Sequence, residues 1–452
     1  MSDRSLKINQ ACARETVPWL TKSVMYQIFL RSFTPEGTLA AATKKLPQLA
    51  ELGVDVVYLC PFFVQDDDPR TEGWSPRQKI SGLNNPKNPY RIKDYYNVDP
   101  EHGTDSDLRE FVETAHRLKM RVIFDIVFLH CGPNAVFIEE HPDYVQRDKN
   151  GETVCNHYGF PLINFESDGL REYLWKNLEY WIENFSVDGY RVDVADQIPL
   201  DFMEKARTRL EKLKPDVIML AEGKKIEHQL FAYDLNYMFP LHGALIGCFN
   251  GGGAAPLRRD NEVMSAHFPR GARFIRYLDN HDLANESRFN RIEDAWKVDG
   301  VDAALVMTFT LDGMPMLYNG QEVADRSTHS IYGNFPVQWE RLKTPEGKQR
   351  FAFCQKLCRM RHEEPVLANG ETIWLDHSNE KQVLAFTREL EGKKFLVVIN
   401  LTKETAETVL QVDGLSGTGR EILRHGVEYA PVGRNGKFKF SFGRFGYLAI
   451  EL

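Results

Sequence analysis

The sequence contains no run of the roughly 18–20 uninterrupted apolar residues that a membrane helix needs, so no membrane partner is expected. Positive charge is in deficit: 56 Lys and Arg against 64 Asp and Glu leave a net charge of −8. No basic cluster overrides that balance, which argues against nucleic acid, whose binding rests on cations meeting phosphates. Cysteine is sparse. The seven residues Cys12, Cys60, Cys131, Cys155, Cys248, Cys354 and Cys358 are odd in number, scattered and without a CxxC pair. They suggest neither a disulfide framework nor a zinc site, and a reducing cytoplasm is the expected compartment. The opening MSDRSLKINQACARETVPWL has no apolar h-region, so no signal peptide is expected, short of one removed before the numbering begins. Internal repeats and low-complexity linkers are also missing. The triplet GGG at 251–253 lacks a following GK[ST] and a strand close before it, so it reads as a flexible turn rather than a phosphate loop.

What is present is an ordinary globular composition, 42% apolar and 27% charged, over 452 residues. That length favours one large domain plus a smaller one. Short β-rich runs alternate with helical patterns at 24–30, 54–60, 121–128, 187–194, 216–222, 232–238, 273–280 and 314–320. Eight such runs predict an α/β fold, a closed (β/α)8 TIM barrel, over residues 1–365. Helices are expected at 106–120 and 170–185. Two connections, 61–105 and 129–170, are long for this architecture, and the second is read as a loop subdomain after strand three. Beyond 366 the pattern changes to short strands separated by turns, predicting a C-terminal antiparallel β-sandwich domain at 366–452.

Three carboxylates fall where barrel strands end. Asp193 closes strand four in GYRVDVADQIP (189–199), Glu222 closes strand five in DVIMLAE, and Asp282 follows strand seven in RYLDNHD. Strand ends of a barrel meet on one rim, so these distant residues become neighbours. Each alone reads as well as a cap or loop residue. Together they suit glycoside hydrolysis, which needs one ionised and one protonated carboxyl. Arg191, two residues before Asp193 and on the same strand face, would keep that Asp ionised, or form only a structural ion pair. Glu222, following an apolar run, would have its pKa raised, as a general acid requires. His130 and His281 could be read as metal ligands, but no HExxH or acidic His cluster supports that.

These segments resemble glycoside hydrolase family 13, the α-amylase family, over nearly the whole chain. DIVFLH (125–130), GYRVDVA, MLAEG, LDNHD and GMPMLYNGQE (313–322) are similar to its motifs at strands three, four, five, seven and eight, and YRIKDYYNVDPEHGT (90–104) to the segment before strand three. The resemblance implies Asp193 as nucleophile of a covalent glycosyl enzyme, Glu222 as general acid/base and Asp282 as a stabiliser of the distorted sugar. It makes Tyr90, His130, Arg191 and His281 substrate-binding, with Tyr90 stacked under the sugar and Asp125 supporting Arg191. The implied activity is hydrolysis, with retention, of α-glucosidic bonds in α-glucans or malto-oligosaccharides. Alternatives are a transglycosylase or isomerase using the same intermediate, or a non-catalytic binding protein, which would be expected to lose one of the three carboxylates.

The departures carry expectations too. Leu129, Leu162 and Gln197 stand where many members carry Asn, Asp and His beside a structural calcium, so that site is expected to be absent and no cofactor is implied. The wording is nearest to neopullulanase- and maltogenic-amylase-like members, without their N-terminal domain and with a different strand-seven version in LDNHDLANES. Lys224 and Lys225, after Glu222, are candidates for an acceptor subsite. In the loop 61–86, Trp74 is a candidate sugar platform, and Asp66, Asp67 and Asp68 are hydroxyl acceptors or, more simply, solvating residues. Linkage preference and oligomeric state are not encoded legibly.

Overall fold

Eight short parallel strands close into a barrel in the computed structural model, which describes residues 8–283, 291–328, 330–415, 419–433 and 436–452. In chain order they are β1 Met25–Ile28, β2 Val56–Leu59, β3 Arg121–Ile126, β4 Gly189–Val192, β5 Ile218–Ala221, β6 Leu235–Tyr237, β7 Phe274–Tyr277 and β8 Met314–Tyr318. Neighbours in sequence are neighbours in the sheet, and β1 closes the ring on β8 with Met25 opposite Met316. Each β-rich run seen in the sequence holds one of these strands.

Alternation along the strands sorts side chains into two cores. Met25, Tyr58, Ile123, Leu220, Tyr237, Ile275 and Met316 fill the barrel interior. Tyr26, Val57, Val122, Phe124, Val192 and Met219 face outward into a larger core under the helices. The helix Asp105–Arg117 begins with a reciprocal cap between Thr104 and Asp107 and buries Leu108, Phe111, Val112 and Ala115. The helix Asp168–Phe185 is capped by Ser167 and buries Leu170, Leu174, Leu178, Trp181 and Phe185. Trp181 meets Phe62, Phe63 and Phe124 at ring separations of 5.7, 5.4 and 5.8 Å. Gly189 has no substitute at the start of β4, because a Cβ there would lie 2.0 Å from the Ile218 carbonyl of β5. Among the described residues no helix is long and apolar enough to cross a membrane.

The two long connections are ordered by their own pairing. An antiparallel hairpin, Phe63–Gln65 with Ile92–Val98, stands within 61–105, next to the one-turn helix Pro76–Ile80. The 129–170 segment is held by isolated bridges such as Val145 to Ile163 and Cys155 to Pro161.

After the helix Pro345–Glu363 the chain enters six antiparallel strands. These are β9 Glu371–Trp374, β10 Val383–Leu390, β11 Lys393–Asn400, β12 Ala406–Gln411, β13 Arg420–Pro431 and β14 Lys437–Glu451. Five of them coincide with strand-like runs in the sequence. The sixth, β13, carries no such signal: only Leu423 and Val427 among its twelve residues are buried. All six belong to one sheet, since β14 pairs with β12 through 437–442 and with β11 through 447–451, while β13 runs along its other edge. Between those halves of β14 Phe445 has a positive φ of 50°, and one face of the sheet buries Val383, Leu396, Val398, Leu410, Phe440, Phe442, Leu448 and Ile450.

The turn after β8 buries Glu322 completely, with the Tyr26 hydroxyl 3.0 Å from both of its oxygens. Burial pushes this carboxyl up to about 7. A raised folded-state pKa means the native state holds the proton more tightly than the unfolded chain does. Stability therefore falls as pH rises through the window from about 4.5 to 7. Glu322→Gln removes that loss, so it should gain about 3 kcal/mol over the parent near pH 8 relative to their difference near pH 5. Chemical unfolding at the two pH values measures it.

Candidate active site

The inward face of the barrel changes character at its C-terminal end. Deeper positions are apolar, but the last inward positions of β1, β3 and β4 are Gln27, Asp125 and Arg191, with Asp193 one inward step beyond. Strand periodicity thus places Arg191 and Asp193 on one face, and barrel closure brings Glu222 from the end of β5 beside them.

Arg191 is the centre of the cluster. Its Nη1 donates to Asp125 Oδ1 at 2.6 Å and to Asp193 Oδ1 at 2.9 Å, and its Nη2 lies 2.8 Å from Glu222 Oε2. Glu222 Oε2 also accepts the Val194 amide at 2.8 Å, made possible by a left-handed Val194 with φ 45°. Gly223 is required next, because a Cβ would meet Asp196 Oδ1 at 2.5 Å. One guanidinium therefore serves three carboxyls. That changes the electrostatics expected from the sequence. Arg191 lies on Asp193 as read, yet burial outweighs it, and Glu222 and Asp125 add repulsion, so the Asp193 carboxyl is raised well above the ordinary range. Glu222 is raised too, by burial and by Asp282 against Arg191. The two carboxyls share one guanidinium and act on each other, so their apparent pKa values belong to the pair.

A relay fixes the other wall. The Gln27 amide lies 2.9 Å from His281 Nδ1, His281 Nε2 meets the Tyr90 hydroxyl, and that hydroxyl lies 3.0 Å from Asp125 Oδ2. With Gln27 donating and Asp125 accepting, His281 is neutral and carries its proton on Nε2. Burial also lowers its pKa. The Tyr58 hydroxyl donates to the same Asp125 oxygen at 2.7 Å. Tyr90 stacks on His281 with centroids 5.4 Å apart and 14° between planes. His130 is pinned through Nε2 to the Tyr90 carbonyl at 2.9 Å, while its buried Nδ1 has no protein partner. Burial lowers its pKa to about 4, so it too is neutral.

Tyr90, His130, Asp193, Glu222, His281 and Asp282 line one cleft of about 140 Å³, with Ser75, Arg77, Asn88, Tyr158, Phe160, Ile331 and Tyr332 completing its walls, while Gln27, Tyr58, Asp125 and Arg191 are buried outside its lining. The added residues come from the two long connections and the segment after β8. Nothing in their local sequence distinguishes them from loop solvation. Arg77, on the one-turn helix Pro76–Ile80, donates to Asp282 Oδ1 at 2.9 Å. Against burial, the Arg77 guanidinium, with Arg191 further off, holds Asp282 below the usual carboxylate range. Arg77→Ala should raise the acid limb of the kcat/KM profile and increase KM by about tenfold, as loss of a charge-assisted hydrogen bond does. A pH–rate series on the variant checks this.

Several sequence candidates lie elsewhere. Trp74 is buried, donates through Nε1 to the Asp68 carbonyl at 3.1 Å and does not line the cleft, because it anchors its own loop. Asp66 is fully buried, taking Arg91 and the Asn134 amide, so it ties the two long loops together instead of meeting a sugar. Lys224 and Lys225 are exposed outside the cleft lining, with their amides on Asp196. Ala284–Ser287 of the strand-seven segment lie outside the described residues, as do the first seven residues.

The loop position where a calcium would sit presents hydrocarbon. Leu129 packs against the core, its carbonyl takes the Ile163 amide at 3.1 Å, and Leu162 pairs with His130. Gln197 is exposed. A hard cation needs six or so oxygen ligands. These residues do not fit it, and no group of three or more His, Cys, Asp or Glu among the described residues could hold a metal.

Known proteins share this architecture. Residues 13–153 and 154–361 match the α-amylase catalytic domain, and 374–448 match the maltogenic amylase C-terminal domain. The chain is 24% identical over 478 residues to a maltogenic α-amylase of Bacillus acidopullulyticus, covering 92% of this chain and 75% of that one. It is 27% identical over 459 residues to a cyclomaltodextrinase of a Bacillus species, covering 88% and 75%. A crystal structure of a noncanonic maltogenic α-amylase from Thermotoga neapolitana superposes with a TM-score of 0.81 at 25% identity, covering 96% of this chain and 99% of that one.

Proposed function

Because the chain belongs to the α-amylase family of glycoside hydrolases, we propose that this cleft cleaves α-glucosidic bonds of malto-oligosaccharides through a covalent intermediate. Asp193 attacks the anomeric carbon, Glu222 protonates the leaving oxygen and then deprotonates the incoming water, and Asp282 binds the hydroxyls of the distorted ring. Tyr90 supports the apolar face of that ring. His130, through its unpartnered Nδ1, and His281 meet its hydroxyls, and Arg191 orients both reacting carboxyls.

The observation that carries this reading is the shared guanidinium. Asp193 and Glu222 each meet a terminal nitrogen of one Arg and line the same cleft. Retention follows if Asp193 attacks directly, in two displacements, and inversion would follow if a water stood between the pair. Timed product analysis on maltohexaose, with Asp193→Asn as the blank, tests the assignment. Shorter α-configured products from the parent alone support it. Products longer than the starting sugar would mean transfer to a sugar acceptor, and no change would rule out α-1,4 cleavage.

We read the chain as a calcium-independent enzyme of the reducing cytoplasm, supported by Leu129, Leu162 and the unpaired cysteines. EGTA should leave both Tm and activity unchanged. A drop in Tm that added calcium restores would refute this.

A further inference from the structure

A second cleft, of about 710 Å³, opens between the barrel and the C-terminal sheet and shares no residue with the catalytic one. Its floor is aromatic. Phe249 stacks on Trp296 with centroids 3.8 Å apart and 10° between planes, and Phe445 lies 5.7 Å beyond at 20°. Its rim is basic: Lys297, Lys381 and Lys403 line it, and Glu404 is the one carboxylate among the lining residues. The three lysines are exposed, and none has an acidic group within ion-pair distance among the described residues.

The backbone around the cleft is unusual as well. Cys248–Gly252 form a π-helical turn that ends the preceding helix, and Gly251 and Gly253 have φ of 92° and 84°. This is the triplet that reads in sequence only as a turn; here its first and third glycines line the cleft. Lys297 interrupts its helix at φ 60°, ψ 172°, a region essentially confined to glycine. π-Turns and strained residues concentrate at functional sites.

From these juxtaposed features we infer that the cleft binds a phosphate-bearing ring compound, a nucleotide or a sugar phosphate. Three unpaired ammonium groups supply the charge that a phosphate group needs, and the stacked rings provide an apolar surface for a base or sugar face. An uncharged oligosaccharide would leave the lysines unanswered. The two sources of this chemistry differ at the aromatic floor, where a planar base gains more than a sugar face.

Calorimetric titration of the full chain with ATP, glucose 6-phosphate, inorganic phosphate and maltose tests it. Saturable one-site binding of ATP or glucose 6-phosphate is expected, stronger than that of phosphate, with none by maltose at this site. Whichever probe is tighter identifies the ring. Lys381→Ala with Lys403→Ala should weaken that binding by about tenfold or more. Lys297→Gly separates this site from a merely structural feature: it should raise Tm by relieving strain while lowering affinity, leaving maltohexaose cleavage unchanged. Absence of binding by both phosphate-bearing probes overturns the inference. So does binding that is indifferent to the lysine substitutions, or maltose binding that they weaken.

Discussion

Asp193→Asn should lower kcat/KM on maltohexaose by about four orders of magnitude or more, with little change in Tm. The magnitude follows from removing a group that forms and breaks the covalent bond, where loss of a nucleophile leaves only binding and the remaining electrostatics. Stability should change little because Asn keeps the volume and can still accept from Arg191, while one of three carboxyls crowding a single guanidinium loses its charge. A structural Asp would behave differently, losing Tm and activity together. Replacement by Gly gives a second, chemical readout. With α-glucosyl fluoride and sodium azide, azide should occupy the vacated position, attack the anomeric carbon, expel fluoride and form β-glucosyl azide. No azide product, or an α-configured one, would remove Asp193 from the nucleophile's role.

Glu222→Gln is the second large effect, about three orders of magnitude on maltohexaose. Here the leaving group decides the outcome. A glucosyl oxygen needs a proton, whereas fluoride leaves without one, so the first turnover of α-maltosyl fluoride should be slowed far less. Equal losses on both substrates would mean that Glu222 does not act as the acid. The pH profile of the parent should be displaced as well. Burial raises both Asp193 and Glu222, so the working state with one proton on the pair persists above the ordinary carboxylate range. The alkaline limb, which reports loss of that proton, should therefore move upward and disappear in Glu222→Gln when α-maltosyl fluoride is the substrate.

Legibility differed between residues for physical reasons. The strands of the barrel are buried on both faces, so they read as β-branched and apolar runs, and the polar residues that break those runs, Asp125, Arg191 and Asp193, stand out at once. Strand β13 faces solvent along most of its length and offers no such pattern. Arg77, Tyr158 and Tyr332 were invisible for a related reason. Each lies in a long connection whose path is set by contacts far away in sequence, such as the Ser75 hydroxyl 3.2 Å from that of Tyr332. Trp74 illustrates the converse. An aromatic in a long loop suggests a sugar platform, but the loop needed it as an anchor.

By itself the sequence determined the barrel, the C-terminal sheet and the identity of the clustered groups, because strand periodicity and the order of strand ends need no coordinates to be read. The tertiary structure alone decided how charge is shared among them. Arg191 is adjacent in sequence only to Asp193, yet in space it is divided among Asp125, Asp193 and Glu222. A dry site with fewer cations than carboxyls raises the proton affinity of those carboxyls. That balance depends on distance and burial, which residue spacing along a chain does not encode.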